Sequence, residues 1–234
     1  VCHMRVILKR PVWARYMLTW ITQRFSDRIL CVSDAVRNRM FPSEASSVRT
    51  LYDSGPDMNR FDPQIAGDGK AVRQELGIAP EAFVVGLVSK FHSNKGHLAL
   101  VEAARVIKAC NPGMNVTYLV VGGKVAGHED YFIEVCDRIE RYGLEDSFIL
   151  TGVRNDVPRL ISACDVMVHL PQHEDPFPGV VLEAMAMEKP IVGFASGGVP
   201  EQFESGKSGI LLEKNDTEAL AETLLALARD VDLR

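Results

Sequence analysis

Residues 83–121 read FVVGLVSKFHSNKGHLALVEAARVIKACNPGMNVTYLVV, and their pattern decides the fold. Residues 83–89 form a continuous apolar run of strand length. Residues 96–110 place Leu98, Val101, Ala104, Arg105 and Ile107 near helical spacing, and residues 116–121 are a second apolar run, ended by Gly122-Gly123. Strands that are apolar throughout, rather than alternating, belong in a parallel sheet covered by helices on both faces.

The same alternation extends towards the C-terminus. Strands are expected at 147–150, 166–170, 190–194 and 209–212. Helices are expected at 130–142, 157–163, 180–187 and 217–229, the first of them closed by Gly143 as its C-terminal cap. Residues 58–234 therefore read as an α/β domain, a Rossmann-like doubly wound parallel sheet. Ligands in such sheets lie at the carboxyl ends of the strands, where the strand order reverses. Lys90, Gly122, Gly152 to Arg154, Pro171 to Asp175 and Ser196 to Gly198 all follow strands, so one face collects them.

Residues 1–57 differ. They offer a basic, aromatic-rich helix at 13–25, a strand at 28–32, a helix at 34–40 capped by Ser33, and a strand at 48–52. That is too little for a Rossmann core of its own, and reads as the end of another domain. Residues 53–63 are then the linker, and 68–77 the first helix after it.

Composition narrows the function. Apolar residues make up 47% and charged residues 24%, which is ordinary for a globular protein. No apolar run approaches the roughly 18 residues that span a bilayer, and no secretory signal pattern opens the chain. The net charge of −5 argues against nucleic-acid binding. It is unevenly spread: residues 1–50 hold nine Lys/Arg against three Asp/Glu, and the remainder seventeen against twenty-eight. Five scattered cysteines without a CxxC pair predict buried free thiols in a cytoplasmic protein, not a zinc or redox site.

Three loops carry candidate chemistry. In Ser89-Lys90-Phe91-His92-Ser93-Asn94-Lys95-Gly96, two lysines bracket a strand-to-helix loop, an arrangement suited to a pyrophosphate at a helix N-terminus. In His173-Glu174-Asp175-Pro176-Phe177-Pro178-Gly179-Val180-Val181-Leu182-Glu183, acids precede a rigid turn and a second carboxylate follows inside the helix. Free backbone N–H groups suit phosphate, and ionised carboxylates accept from sugar hydroxyls. Ala195-Ser196-Gly197-Gly198-Val199-Pro200-Glu201 is the third loop. Each has a plainer reading: solvated lysines, acids favoured by a helix dipole, and a simple turn.

Together and in this order, with Gly152-Val153-Arg154-Asn155-Asp156 between the first two, these segments resemble the donor domain of retaining glycosyltransferases of the GT-B fold, family 4. Leu51 to Pro63 is similar to the family's interdomain hinge, and residues 29–36 to the last strand and helix of its acceptor domain. The resemblance implies a division into 1–57, the end of the acceptor domain, and 58–234, the nucleotide-sugar domain without its final crossover helix. It implies that Lys90 and Lys95 neutralise the donor pyrophosphate, that Asp175 holds sugar hydroxyls near the anomeric carbon, with Glu174 as an alternative, and that Glu183 grips the ribose. Phe177, Gly179, Val180, Gly197 and Gly198 would complete the donor site, with Val153 and Arg154 facing the base. His92 and His173, in the site loops, are expected to touch ligand; the other histidines read as structural or surface residues.

Two residues depart from the family pattern. Asp175 is one methylene shorter than the usual Glu, and Pro178 stands where relatives carry Gly, removing one amide donor. The implied partners are a nucleoside-diphosphate sugar and the facing acceptor domain, without which no transfer is expected. No cofactor and no metal are expected; Asp230-Val231-Asp232 reads as a chance match to a metal motif. The aromatic basic stretch 5–24 is expected to pack on the facing domain, with peripheral contact to an anionic membrane as the alternative. An interaction module and a sugar-nucleotide epimerase are the competing functions.

Overall fold

A computed structural model describes residues 1–7, 11–42, 47–67 and 69–233. The first unit is a three-stranded parallel sheet. It runs β1 (Cys2–Met4), α1 (Val12–Phe25), β2 (Ile29–Cys31), α2 (Asp34–Met40) and β3 (Val48–Thr50), with strand order β1-β2-β3. Its core is Met4, Ile29, Cys31, Val32, Val36, Met40, Phe41 and Val48. Ser33 caps α2 as expected, its hydroxyl accepting from the Val36 N–H. β1 has only three residues and no apolar pattern to announce it.

After residues 51–62 come two short helices, α3 (Pro63–Ala66) and α4 (Lys70–Glu75), in place of the expected helix over 68–77, whose first residue, Asp68, lies outside the described residues. Phe61 anchors the linker in the core of the second unit. The chain then runs β4 (Phe83–Val88), α5 (His97–Cys110), β5 (Val116–Val121), α6 (Glu129–Arg141), β6 (Phe148–Leu150), α7 (Val157–Ser162), β7 (Val166–His169), α8 (Gly179–Ala186), β8 (Ile191–Phe194), β9 (Gly209–Leu212) and α9 (Thr217–Arg229). All strand pairs are parallel, in the order β6-β5-β4-β7-β8-β9.

Both sheet faces are buried, which is why these strands lack alternation. Phe83, Val85 and Leu87 of β4 point into one core with α5, α6 and α9, while Val84 points into the other with α7 and α8. Val166 and Val168 of β7 likewise face the first core and Met167 the second. Burying one such side chain contributes roughly 1.5–3 kcal/mol. Gly143 closes α6 in the left-handed conformation, with the Leu144 N–H donating back to Ile139 O.

The cysteine expectation needs correction. All five are free, but only Cys31 and Cys164 are buried; Cys2 and Cys136 are half-buried and Cys110 is exposed. Cys110 ends α5, where the apolar stripe has turned away from solvent and the terminal residue has not. α1 turns Trp13, Tyr16, Trp20 and Phe25 outwards, each more than 60% exposed, while Thr19 Oγ1 donates to Met40 O.

A hydrogen-bonded contact helps tie the two units together. The Glu201 carboxylate, after β8, accepts from the Asp34 and Ala35 N–H groups at 2.6 and 2.7 Å. These are the first-turn donors of α2 that the helix itself leaves without acceptors. Glu201→Ala is expected to destabilise the chain by about 2 kcal/mol, read in a denaturant melt, and to speed amide exchange at residues 34 and 35. An unchanged melt and unchanged exchange would remove Glu201 from this role.

Candidate functional site

The sheet order reverses between β4 and β7. From β4 the chain winds to β5 and β6, then returns to β7 and winds the other way. The loops after β4 and β7 part there and leave a crevice.

The loop after β4 passes through a short helical turn, Ser93–Lys95, and enters α5 at Gly96, whose φ is +77°. Gly96 is required twice over: its backbone is left-handed, and a Cβ would collide with the Leu170 carbonyl of the neighbouring loop. The Gln172 N–H donates to Asn94 O at 2.9 Å, pinning the two loops together. Gly197, at φ +61°, lies against the Asp175 backbone in the same way, and the Gly198 N–H donates to Asp175 O at 2.8 Å. The loop after β8 thus braces the loop after β7. The Gln202 amide adds a hydrogen bond to Pro178 O at 2.9 Å.

Held this way, Lys95 Nζ meets Asp175 Oδ2 at 2.9 Å, with side chains 24% and 15% exposed. The His169 Nε2 lies 3.6 Å from the same oxygen. These three line a cavity of 270 Å³ together with Ser89, Phe177, Pro178, Gly179 and Val180. The cavity opens on the first turn of α8, where the leading N–H groups, those of Gly179 and Val180, have no intrahelical acceptor. Pro178 precedes that turn and supplies no side-chain cap. The arrangement is an anion-receptive wall facing a carboxylate that is already paired with a cation.

The other expected residues take different places. Asp175 lines the cavity and Glu174, half-buried beside it, does not. Lys90 is exposed and outside the cavity lining, with no ion pair among the described residues. Glu183 is half-buried on α8; burial raises its pKa, and Arg60 of the linker lowers it in part. Phe177 stacks on Tyr52 at 5.3 Å and packs against the core of the first unit, so it joins the two units as well as lining the cavity.

Arg154 is spoken for. Its guanidinium grips Asp156 twice at 2.8 Å and Glu75 at 2.9 Å, and Asp156 is held down at about pKa 2 chiefly by that hydrogen bond. Val153 of that loop is exposed and lies over Gly123. Gly197 and Gly198 act as braces, and the Gly198 N–H is already used. His92 stands against His128, ring centroids 4.4 Å apart, and His173 is exposed.

Sequence reasoning missed His169, Arg60, Tyr52 and the capping by Glu201. His169 had one signal: it continues the Met167 side of β7, the side that faces α8. Burial pushes its imidazole down to about pKa 4, opposed by Asp175 and assisted by Lys95, so it is neutral. Among the described residues no group of three or more His, Cys, Asp or Glu is placed to hold a metal ion, and no helix is long and apolar enough to cross a membrane.

Comparison with known proteins agrees with this architecture. The D-inositol 3-phosphate glycosyltransferase of Stackebrandtia nassauensis is 29% identical over 219 residues, covering 89% of this chain and 49% of that protein. The chain spans about half the length of the curated relatives it matches. A crystal structure of Anabaena HepE in complex with UDP and glucose superposes with a TM-score of 0.89 at 30% identity, covering 99% of this chain and 62% of that one. The C-terminal domain of a glycosyl transferase group 1 family protein from Francisella tularensis shares the fold, with a TM-score of 0.66 at 24% identity over 76% of this chain and 90% of that domain. Residues 82–230, most of the second unit, match the family of glycosyl transferases group 1, and the chain belongs to that family, with the Rossmann-like fold of GT-B enzymes.

Proposed function

We propose that this chain is the donor-binding part of a retaining glycosyltransferase of GT-B family 4, which moves a sugar from a nucleoside-diphosphate sugar to an acceptor. In this reading residues 58–234 are the donor domain, residues 1–57 end the acceptor domain, and transfer requires the rest of that domain. The exposed aromatic face of α1 packs against it. The observation that carries the reading is the Lys95–Asp175 pair beside the open first turn of α8, at the sheet's switch point. The complex of Anabaena HepE with UDP and glucose supports the ligand class.

Each residue then has a task. Lys95 and the α8 amides of Gly179 and Val180 take the diphosphate, and Lys90 closes on it from solvent. Charge that builds on the leaving diphosphate meets fixed donors, which is electrostatic stabilisation of the transition state. Asp175 orients the donor sugar. Glu183, about one turn into α8, accepts from the ribose hydroxyls. No metal is required where a lysine and helix amides supply the positive field.

Titration calorimetry with UDP, GDP and ADP tests the reading. One of them is expected to bind, and Lys95→Ala to weaken it by about 2 kcal/mol, roughly thirtyfold. Failure of all three to bind would sink donor binding.

Glu183 gives a second test, with opposite signs for stability and binding. Its folded pKa is raised, so the stability tied to its protonated form is present below the ordinary pKa of 4.5 and is lost as pH rises through the folded value. Glu183→Gln is therefore expected to melt higher than wild type at pH 7–8, with the gap closing below pH ~4.5. The same variant is expected to bind nucleotide about tenfold more weakly at pH 7. A variant that melts no higher and binds equally well would contradict the ribose assignment.

A further inference from the structure

His169 is the last residue of β7 and is 6% exposed. Its Nε2 is buried without a hydrogen-bond partner among the described residues, and the residue lines the same cavity as Lys95 and Asp175. A buried N–H left unpaired costs about 1–3 kcal/mol, which a leucine of similar size would avoid. The nearest acceptor is Asp175 Oδ2 at 3.6 Å, beyond hydrogen-bond length, and Lys95 Nζ sits on that oxygen at 2.9 Å. Lys95 is thus held by the carboxylate. A diphosphate offers more charge and more acceptor oxygens than one carboxylate, and draws that ammonium away. Asp175, 15% exposed, is then left ionised without its cation, a costly state for a largely buried carboxylate.

We infer that His169 is a positioning residue of the donor site: its Nε2–H is the partner that Asp175 takes when Lys95 turns to the donor diphosphate. The inference rests on the donor-binding reading above. The gap closes by a few tenths of an ångström, well within a rotation of either side chain. The exchange fixes the carboxylate towards the sugar, and a neutral imidazole does so without cancelling its negative charge. A lysine or arginine at 169 would neutralise the carboxylate instead. His169 acts through Asp175 and makes no contact with the reacting atoms.

The test is calorimetry with UDP, GDP and ADP on the full chain, comparing wild type, His169→Leu, His169→Gln, Asp175→Ala and the double variant His169→Leu with Asp175→Ala. His169→Leu is expected to weaken the nucleotide that wild type binds by about tenfold. His169→Gln, whose amide reaches as far as Nε2, is expected to stay within about threefold of wild type. In the Asp175→Ala background the leucine is expected to have no further effect. Without nucleotide, the leucine variant is expected to melt no lower than wild type, which a packing role would not allow. Binding of His169→Leu equal to wild type, a glutamine as weak as the leucine, or full additivity with Asp175→Ala would each overturn the inference and leave donor binding intact. If His169→Leu does not fold, His169→Asn, whose amide stops short of Asp175, replaces it, and asparagine binding as tightly as glutamine overturns the inference. A wild-type chain that binds none of the three nucleotides brings down both readings.

Discussion

The ion pair between Lys95 and Asp175 is the interaction around which the site is built. The two residues come from loops 80 positions apart in sequence, and they meet because β4 and β7 are neighbours at the point where the sheet changes winding direction. At 24% and 15% exposure the pair is neither a surface ornament nor a sealed core bridge. Sealed pairs hold little functional promise, since removing either partner leaves an uncompensated charge. Fully exposed pairs contribute little to anything. A half-open pair can exchange partners with an incoming anion at modest cost, which is the property that a diphosphate site needs.

Around this pair the chain has placed braces that do no chemistry. Gly96 lets one loop lie on the Leu170 carbonyl, and Gly197 lets another lie on the Asp175 backbone. Phe177 stacks on Tyr52, and Glu201 reaches across to cap α2. Every brace ends on the segment from Asp175 to Pro178 or on its neighbour loop. The first unit therefore contributes to the site: Tyr52 and the α2 terminus hold the loop that holds Asp175. A rotation between the units would be felt at Phe177 and Glu201, which both reach the first unit.

Much of the fold was legible in the sequence because burial on both faces forces an unmistakable strand composition. FVVGLV and VTYLVV have no polar face to spare, and Ser33 and Gly143 announce helix ends by mechanisms that act within four residues. The loops of the site were legible as an ordered set. Their internal geometry was not. Whether Glu174 or Asp175 would line the cavity depends on the path of a proline-rich turn, and a one-residue shift exchanges them. Arg154 was expected to face the base, and its hydrogen bond to Glu75, 79 residues away, is a tertiary fact that local sequence does not show. Glu201 read as part of a turn because the amides it caps are 167 and 166 residues away. Cys110 read as buried because local apolar context does not reveal where a helix end emerges.

Three residues of the site share a physical trait: each sits in an environment poorer than the fold could have provided. Glu183 is a carboxylate raised by burial with only a distant arginine in compensation. His169 keeps an unpaired nitrogen in a closed corner. Pro178 opens a helix with no capping side chain. A sequence selected for stability alone would place a glutamine, a leucine and a serine at these three positions. All three lie between Val166 and Ala186: at the end of β7, at the entry to α8 and within it. Buried polar atoms without a partner among the described residues also occur at Asn94, His97, Tyr118 and Gln202, so what singles out His169 and Pro178 is that they line the cavity shared by Lys95 and Asp175, where hydrogen-bonding capacity can serve something that is not protein.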